Sequence, residues 1–163
     1  MIRKRILWTI LFAMLPIGQA CAEEELKPKG SNLEGFMTAS ATVDAFFKAM
    51  LEGDLDAVMA TVDVPWFHDG KRILESKDEL RDILREPIEE KELIGLKAEV
   101  KEVKKFESLR DSASGTTGEL LKKVAKDSDL VFFMKVTVGT KNEEMLLLVR
   151  VKGDGAKIIG LRD

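Results

Sequence analysis

The chain has 163 residues, 45% of them hydrophobic and 34% charged, with a formal net charge of −3. That is room for one globular domain with a short leader or tail, and too apolar for wholesale disorder. Both signs of charge are spread along it, which leaves no basic field to attract nucleic acid. One cysteine and one histidine exclude an internal disulfide framework and disfavour a metal site of the usual zinc kind. Nothing in the composition calls for a cofactor.

Residues Met1–Ala22 have the layout of a secretory signal peptide: Arg3, Lys4 and Arg5, an apolar run from Ile6 to Leu15, then Ala20-Cys21-Ala22. The run is shorter than the ~20 residues a permanent span needs. Cleavage after Ala22 predicts a released, secreted or periplasmic protein without cysteine. The alternative is a lipid anchor on Cys21, for which Gly18-Gln19-Ala20 is a poor lead-in. Removing residues 1–22 takes three positive charges and no acids from −3, leaving −6. A mildly acidic surface again disfavours polyanions.

Residues 23–37 are charged, carry Pro28 and two glycines, and predict a flexible linker before a domain at 38–163. Thr38 or Ser40 can cap a first helix, in which Val43, Phe46, Phe47, Met50 and Leu51 form one apolar stripe. Gly53 ends it and Asp54 caps a second, striped by Leu55, Val58, Met59 and Val62. Pro65 stops that helix. Trp66-Phe67-His68, Asp69-Gly70 and Lys71 to Leu74 read as a hairpin, since a type I′ turn needs positive φ at both central positions. Ser76 to Glu79 is a capping box for a third helix ending near Pro87.

Strands follow. Leu96, Ala98 and Val100 alternate with charges, then the parity breaks toward Val103 and Phe106, which predicts a bulge near Glu102. Glu119 to Lys126 can form a short helix. Leu130–Val138, Met145–Val151 and Lys157–Leu161 complete the sheet. The first two are apolar on both faces, so both faces need cover. Helices supply one; the N-terminal segment or a second subunit supplies the other. A homodimer would bury Val131, Phe133, Leu146 and Leu148.

The order helix, Gly-Asp, helix, aromatic strand, carried by the run Phe46–Asp56, resembles the nuclear-transport-factor-2-like superfamily, in its SnoaL-like branch. The resemblance implies an α+β fold: a strongly curved mixed sheet wrapped around N-terminal helices, a cone with a pocket. It supports a fold better than an activity, because members include enzymes and non-catalytic binding modules alike.

Family enzymes pair a carboxylate base with a tyrosine or histidine, and this chain has no tyrosine. The remaining catalytic candidates are His68, Asp63 and Asp69. The ligand-binding candidates are Trp66, His68 and Arg150, the last toward a carboxylate-bearing ligand or toward an acid of its own chain. Turn chemistry already accounts for Asp69 and for the position of His68 beside it. The residues therefore favour an exported, non-catalytic binding or interaction module with a small apolar pocket. The alternative is a SnoaL-like isomerase, dehydratase or cyclase using His68 with a nearby carboxylate.

Overall fold

The structure is a computed structural model that describes residues 31–89 and 95–162. The leader, its cleavage site and Cys21 lie outside the described residues.

Helix α1 spans Ser31–Glu52 and α2 spans Leu55–Thr61. Gly53 supplies φ +73° between them, and Asp54 Oδ1 accepts from the Ala57 N–H at 2.9 Å, as expected. The start of α1 differs from expectation. It lies seven residues before Thr38, so residues 31–37 are helix rather than linker. Thr38 is an interior residue whose Oγ1 donates to the Glu34 carbonyl at 2.9 Å. Packing drives the extension, since Gly35 lies against Val151 and the Phe36 ring stacks on Phe132.

Strand β1 (Val62–His68) pairs antiparallel with β2 (Arg72–Leu74) through the Asp69-Gly70 turn, where both residues have positive φ. Helix α3 spans Lys77–Glu89. Ser76 Oγ accepts from the Asp78 and Glu79 N–H groups, but Glu79 does not complete the box, because Arg72 binds its carboxylate at 2.9 Å. The helix runs through Pro87 rather than stopping there.

Then come β3 (Lys97–Lys105), the single turn Phe106–Ser108, helix α4 (Gly115–Val124), β4 (Leu130–Val138), β5 (Lys141–Lys152) and β6 (Gly155–Arg162). The described sheet has the order β2-β1-β6-β5-β4-β3, antiparallel except for the parallel pair β1/β6. The bulge falls between Val100 and Glu102 and returns Val103 to the inner face, opposite Phe132.

The curved sheet divides the core in two. Inside it, Val43, Phe46, Met50, Trp66, Leu80, Leu84, Phe132 and Leu147 form the main core with α1, α2 and α3. On the outer face, Phe67, Val131, Leu148 and Ile159 pack with Phe106 and with Leu121 and Val124 of α4. Within the described residues, α4 and the turn before it thus cover part of this face. Val131 and Leu148 are fully buried within the monomer, which removes them from the expected dimer contact. Phe133 and Leu146 pack against this cluster but remain half-buried.

Candidate functional site

The acid–base candidates sit apart. Asp63 and His68 occupy opposite ends of β1, about 16 Å apart at strand rise. Partial burial by itself raises the Asp63 carboxyl. The Val64 N–H and the ammonium groups of Lys77 and Lys152, each 3.4 Å away, outweigh it and hold the group below its ordinary value. Such a carboxylate is a poor proton acceptor near neutral pH. Asp69 sits in the turn at φ +48°, its carboxylate bound by Lys71 and its N–H donating to the Leu161 carbonyl. His68 is half-buried at the strand end, opposite Arg72 on one side and Leu161 on the other.

Trp66 is core rather than pocket wall, at 1% exposure. Its Nε1–H has no acceptor among the described residues. An orphaned buried donor of this kind costs about 1–3 kcal/mol. Arg150 is likewise engaged by its own chain. Its Nε and Nη2 donate to the two carboxylate oxygens of Asp129 at 3.0 and 2.6 Å, and Nη2 also donates to the Val124 carbonyl at 2.8 Å. Asp129 accepts in addition from the Lys126 N–H. With Asp129 at 1% and Arg150 at 8% exposure, this fork ties the end of α4 to β5 and engages the guanidinium through Nε and Nη2 within its own chain. Among the described residues no group of three or more His, Cys, Asp or Glu is placed to hold a metal ion.

What the fold does offer is a cleft that sequence reasoning missed. A groove of about 520 Å³ opens between α1 and the inner face of β3 and β4, lined by Phe47, Leu51, Leu96, Ala98, Val100 and Met134, with Asp44, Lys48, Glu52 and Lys97 at its rim. At 100° per residue, Leu33, Phe36 and Met37 fall on the same side of α1 as Asp44, Phe47 and Leu51. The large apolar side chains exposed among the described residues are Leu33, Phe36, Met37, Leu51 and Val100, of which Leu51 and Val100 line this cleft. The strip along α1 from Leu33 to Leu51 is about 27 Å long at helical rise. A second groove, of about 820 Å³, lies on the outer face over Phe133 and Leu146, with Lys101, Lys135, Arg162, Glu143 and Glu144 among its lining.

No known family profile matches the sequence, and no curated protein does. Solved structures do. A variant of Rd1NTF2_05 superimposes with a TM-score of 0.54 at 14% identity over 77% of this chain and 95% of that one. A putative calcium/calmodulin-dependent protein kinase type II association domain from Thiobacillus denitrificans gives 0.49 at 16% identity, covering 77% and 92%. An uncharacterized cystatin fold protein from Novosphingobium aromaticivorans gives 0.47 at 14%, covering 77% and 97%. The fold is therefore the nuclear-transport-factor-2-like, or cystatin-like, cone of four helices and a curved six-stranded sheet. At these identities the likeness defines the fold alone.

Proposed function

We propose that this chain is an exported, non-catalytic binding module whose site is the cleft between α1 and the inner face of β3 and β4, and whose ligand is a small, mainly apolar molecule. The observation that carries the reading is the apolar lining of that cleft by Phe47, Leu51, Leu96, Ala98, Val100 and Met134, with Leu51 and Val100 left exposed in it. Scattered exposed apolar residues are ordinary on a soluble protein; a contiguous strip marks a contact site. The groove's volume falls within the range of small-molecule pockets, and its few rim charges suit the orientation of a ligand with one polar end.

The separation of His68 from Asp63, and the neutralisation of Asp63 by two lysines, support binding over acid–base catalysis. The layout of residues 1–22 supports export with release after Ala22.

Titration with 1-anilinonaphthalene-8-sulfonate tests the site. The protein should enhance the dye's fluorescence saturably, and Leu51→Asp should weaken binding at least about tenfold, the effect of ~1.4 kcal/mol. Leu51 is half exposed, so the substitution leaves the core intact and far-UV circular dichroism unchanged. Dye binding that is absent, or indifferent to Leu51→Asp, rejects the cleft as the site.

A further inference from the structure

Among the described residues, strand β3 is one edge of the sheet, opposite β2, and pairs with β4 alone. Residues 97–102 are exposed on both faces, with the inner cleft on one side and the outer groove on the other.

The edge carries a direct repeat, Glu99-Val100-Lys101 followed by Glu102-Val103-Lys104. A three-residue repeat cannot keep its faces in a straight strand, where side chains alternate with period two. The bulge between Val100 and Glu102 changes that. Val100 and Val103 both face inward, opposite Met134 and Phe132, while Glu99, Glu102 and Lys104 face outward, opposite Lys135, Phe133 and Val131. Lys101 lines the outer groove with Glu102.

We propose that β3 docks a second copy of this chain, the two β3 edges pairing antiparallel about a two-fold axis between Lys101 and Glu102 and joining the two sheets into one. In that register Glu99 meets the second copy's Lys104, Val100 meets Val103 and Lys101 meets Glu102, each pair repeated by symmetry. Every charged pair is of opposite sign, every apolar pair is Val with Val, and inner residues meet inner residues. Neighbouring registers lose this. An axis through Lys101 sets that ammonium against its own copy and the inward Val100 against the outward Glu102. An axis through Glu102 sets that carboxylate against its own copy and the outward Lys101 against the inward Val103.

Charges and bulges ordinarily keep edge strands from pairing. Here the same charges exclude most foreign strands and accept the strand that carries their mirror order. Within one chain Lys101 lies 2.7 Å from Glu99 and Lys104 lies 3.0 Å from Glu102, on side chains that are about half exposed, where such pairs contribute little and exchange partners readily. They are therefore free to re-pair across the axis. The contact borders the proposed ligand cleft at Val100, but the residues its test substitutes, Glu99 and Lys104, face outward, away from the cleft, and Leu51 lies on α1, outside the contact.

Analytical ultracentrifugation of the protein as its host produces it, at low ionic strength across the micromolar range, tests the contact. The unmodified protein should dimerise, and added salt should weaken the dimer. Glu99→Lys and Lys104→Glu should each weaken it about tenfold, because each turns two attractive cross-strand pairs repulsive. Mixing the two variants should restore dimers, since every like-charge contact then becomes an opposite-charge one. Both positions lie on the outward face of an edge strand, so circular dichroism should be unchanged. A monomeric unmodified protein, or a dimer indifferent to both substitutions, overturns the proposal. So does a dimer that Phe133→Glu abolishes and Glu99→Lys leaves intact, which assigns the contact to the outer sheet face.

Discussion

Arg150 shows how one residue's surroundings decide its meaning. On a central strand after Leu146 and Leu148, a guanidinium requires an anion, and an external ligand or an internal acid satisfies that requirement equally well. Asp129, twenty-one positions earlier, meets it with a two-pronged bond inside the protein. Removing one partner strands the other charge in the core. Asp129→Asn should therefore cost about 3–5 kcal/mol in urea denaturation, and the double change Asp129→Leu with Arg150→Met should recover most of it. A loss below about 1 kcal/mol for Asp129→Asn would show that water reaches the guanidinium and that the pair does little to hold α4. Asp63 and Asp69 were equally plausible acids in the sequence, and the structure gives each a lysine.

Among the elements, α4 has the largest consequence and was the least visible. Only its second half, Leu120, Leu121 and Val124, carries an apolar pattern. Ser114 to Gly118, with two glycines and two threonines, reads as loop, since glycine and threonine are weak helix formers. Tertiary contact overrides that preference. Thr117 Oγ1 donates to the Gly70 carbonyl, anchoring the first turn of α4 to the β1–β2 hairpin. Gly118 sits against the preceding loop, where a Cβ would stand 2.5 Å from the Ala113 carbonyl carbon. Gly118→Ala should therefore lift α4 off the outer face. The expected signs are a stability loss of about 1–3 kcal/mol and faster hydrogen exchange in α4 than in α1. Unchanged exchange in α4 would mean that the Ala113 loop simply moves aside.

Across the described residues the cone carries α4 over part of its outer face, a groove beside it over Phe133 and Leu146, and a cleft on its inner face between α1 and β3. That cleft supports a ligand site, and the edge strand beside it supports pairing of two copies. No described helix is long and apolar enough to cross a membrane. The address is a matter for the leader: mass spectrometry of protein from its native host should find a chain beginning at Glu23. A lipid-modified Cys21, or an intact Met1, would replace release with anchoring or retention.

The sequence by itself determined whatever rests on local chemistry. The Gly53-Asp54 joint, the Asp69-Gly70 turn, the strand Leu130–Val138 and the bulge before Val103 follow from φ preferences, caps and side-chain parity, which neighbouring residues settle among themselves. Even the face of α1 that meets the sheet was legible in Val43, Phe46 and Met50. Only the tertiary structure decided which partners meet across long stretches of chain. It put α4 over Val131 and Leu148, Asp129 on Arg150, and a cleft beside Leu51, because a helix's apolar stripe specifies burial without specifying against what. Leu51 carries the same hydrophobic signal as Met50. One is covered and the other is left in solvent because the curved sheet reaches one side of α1 and stops short of the next.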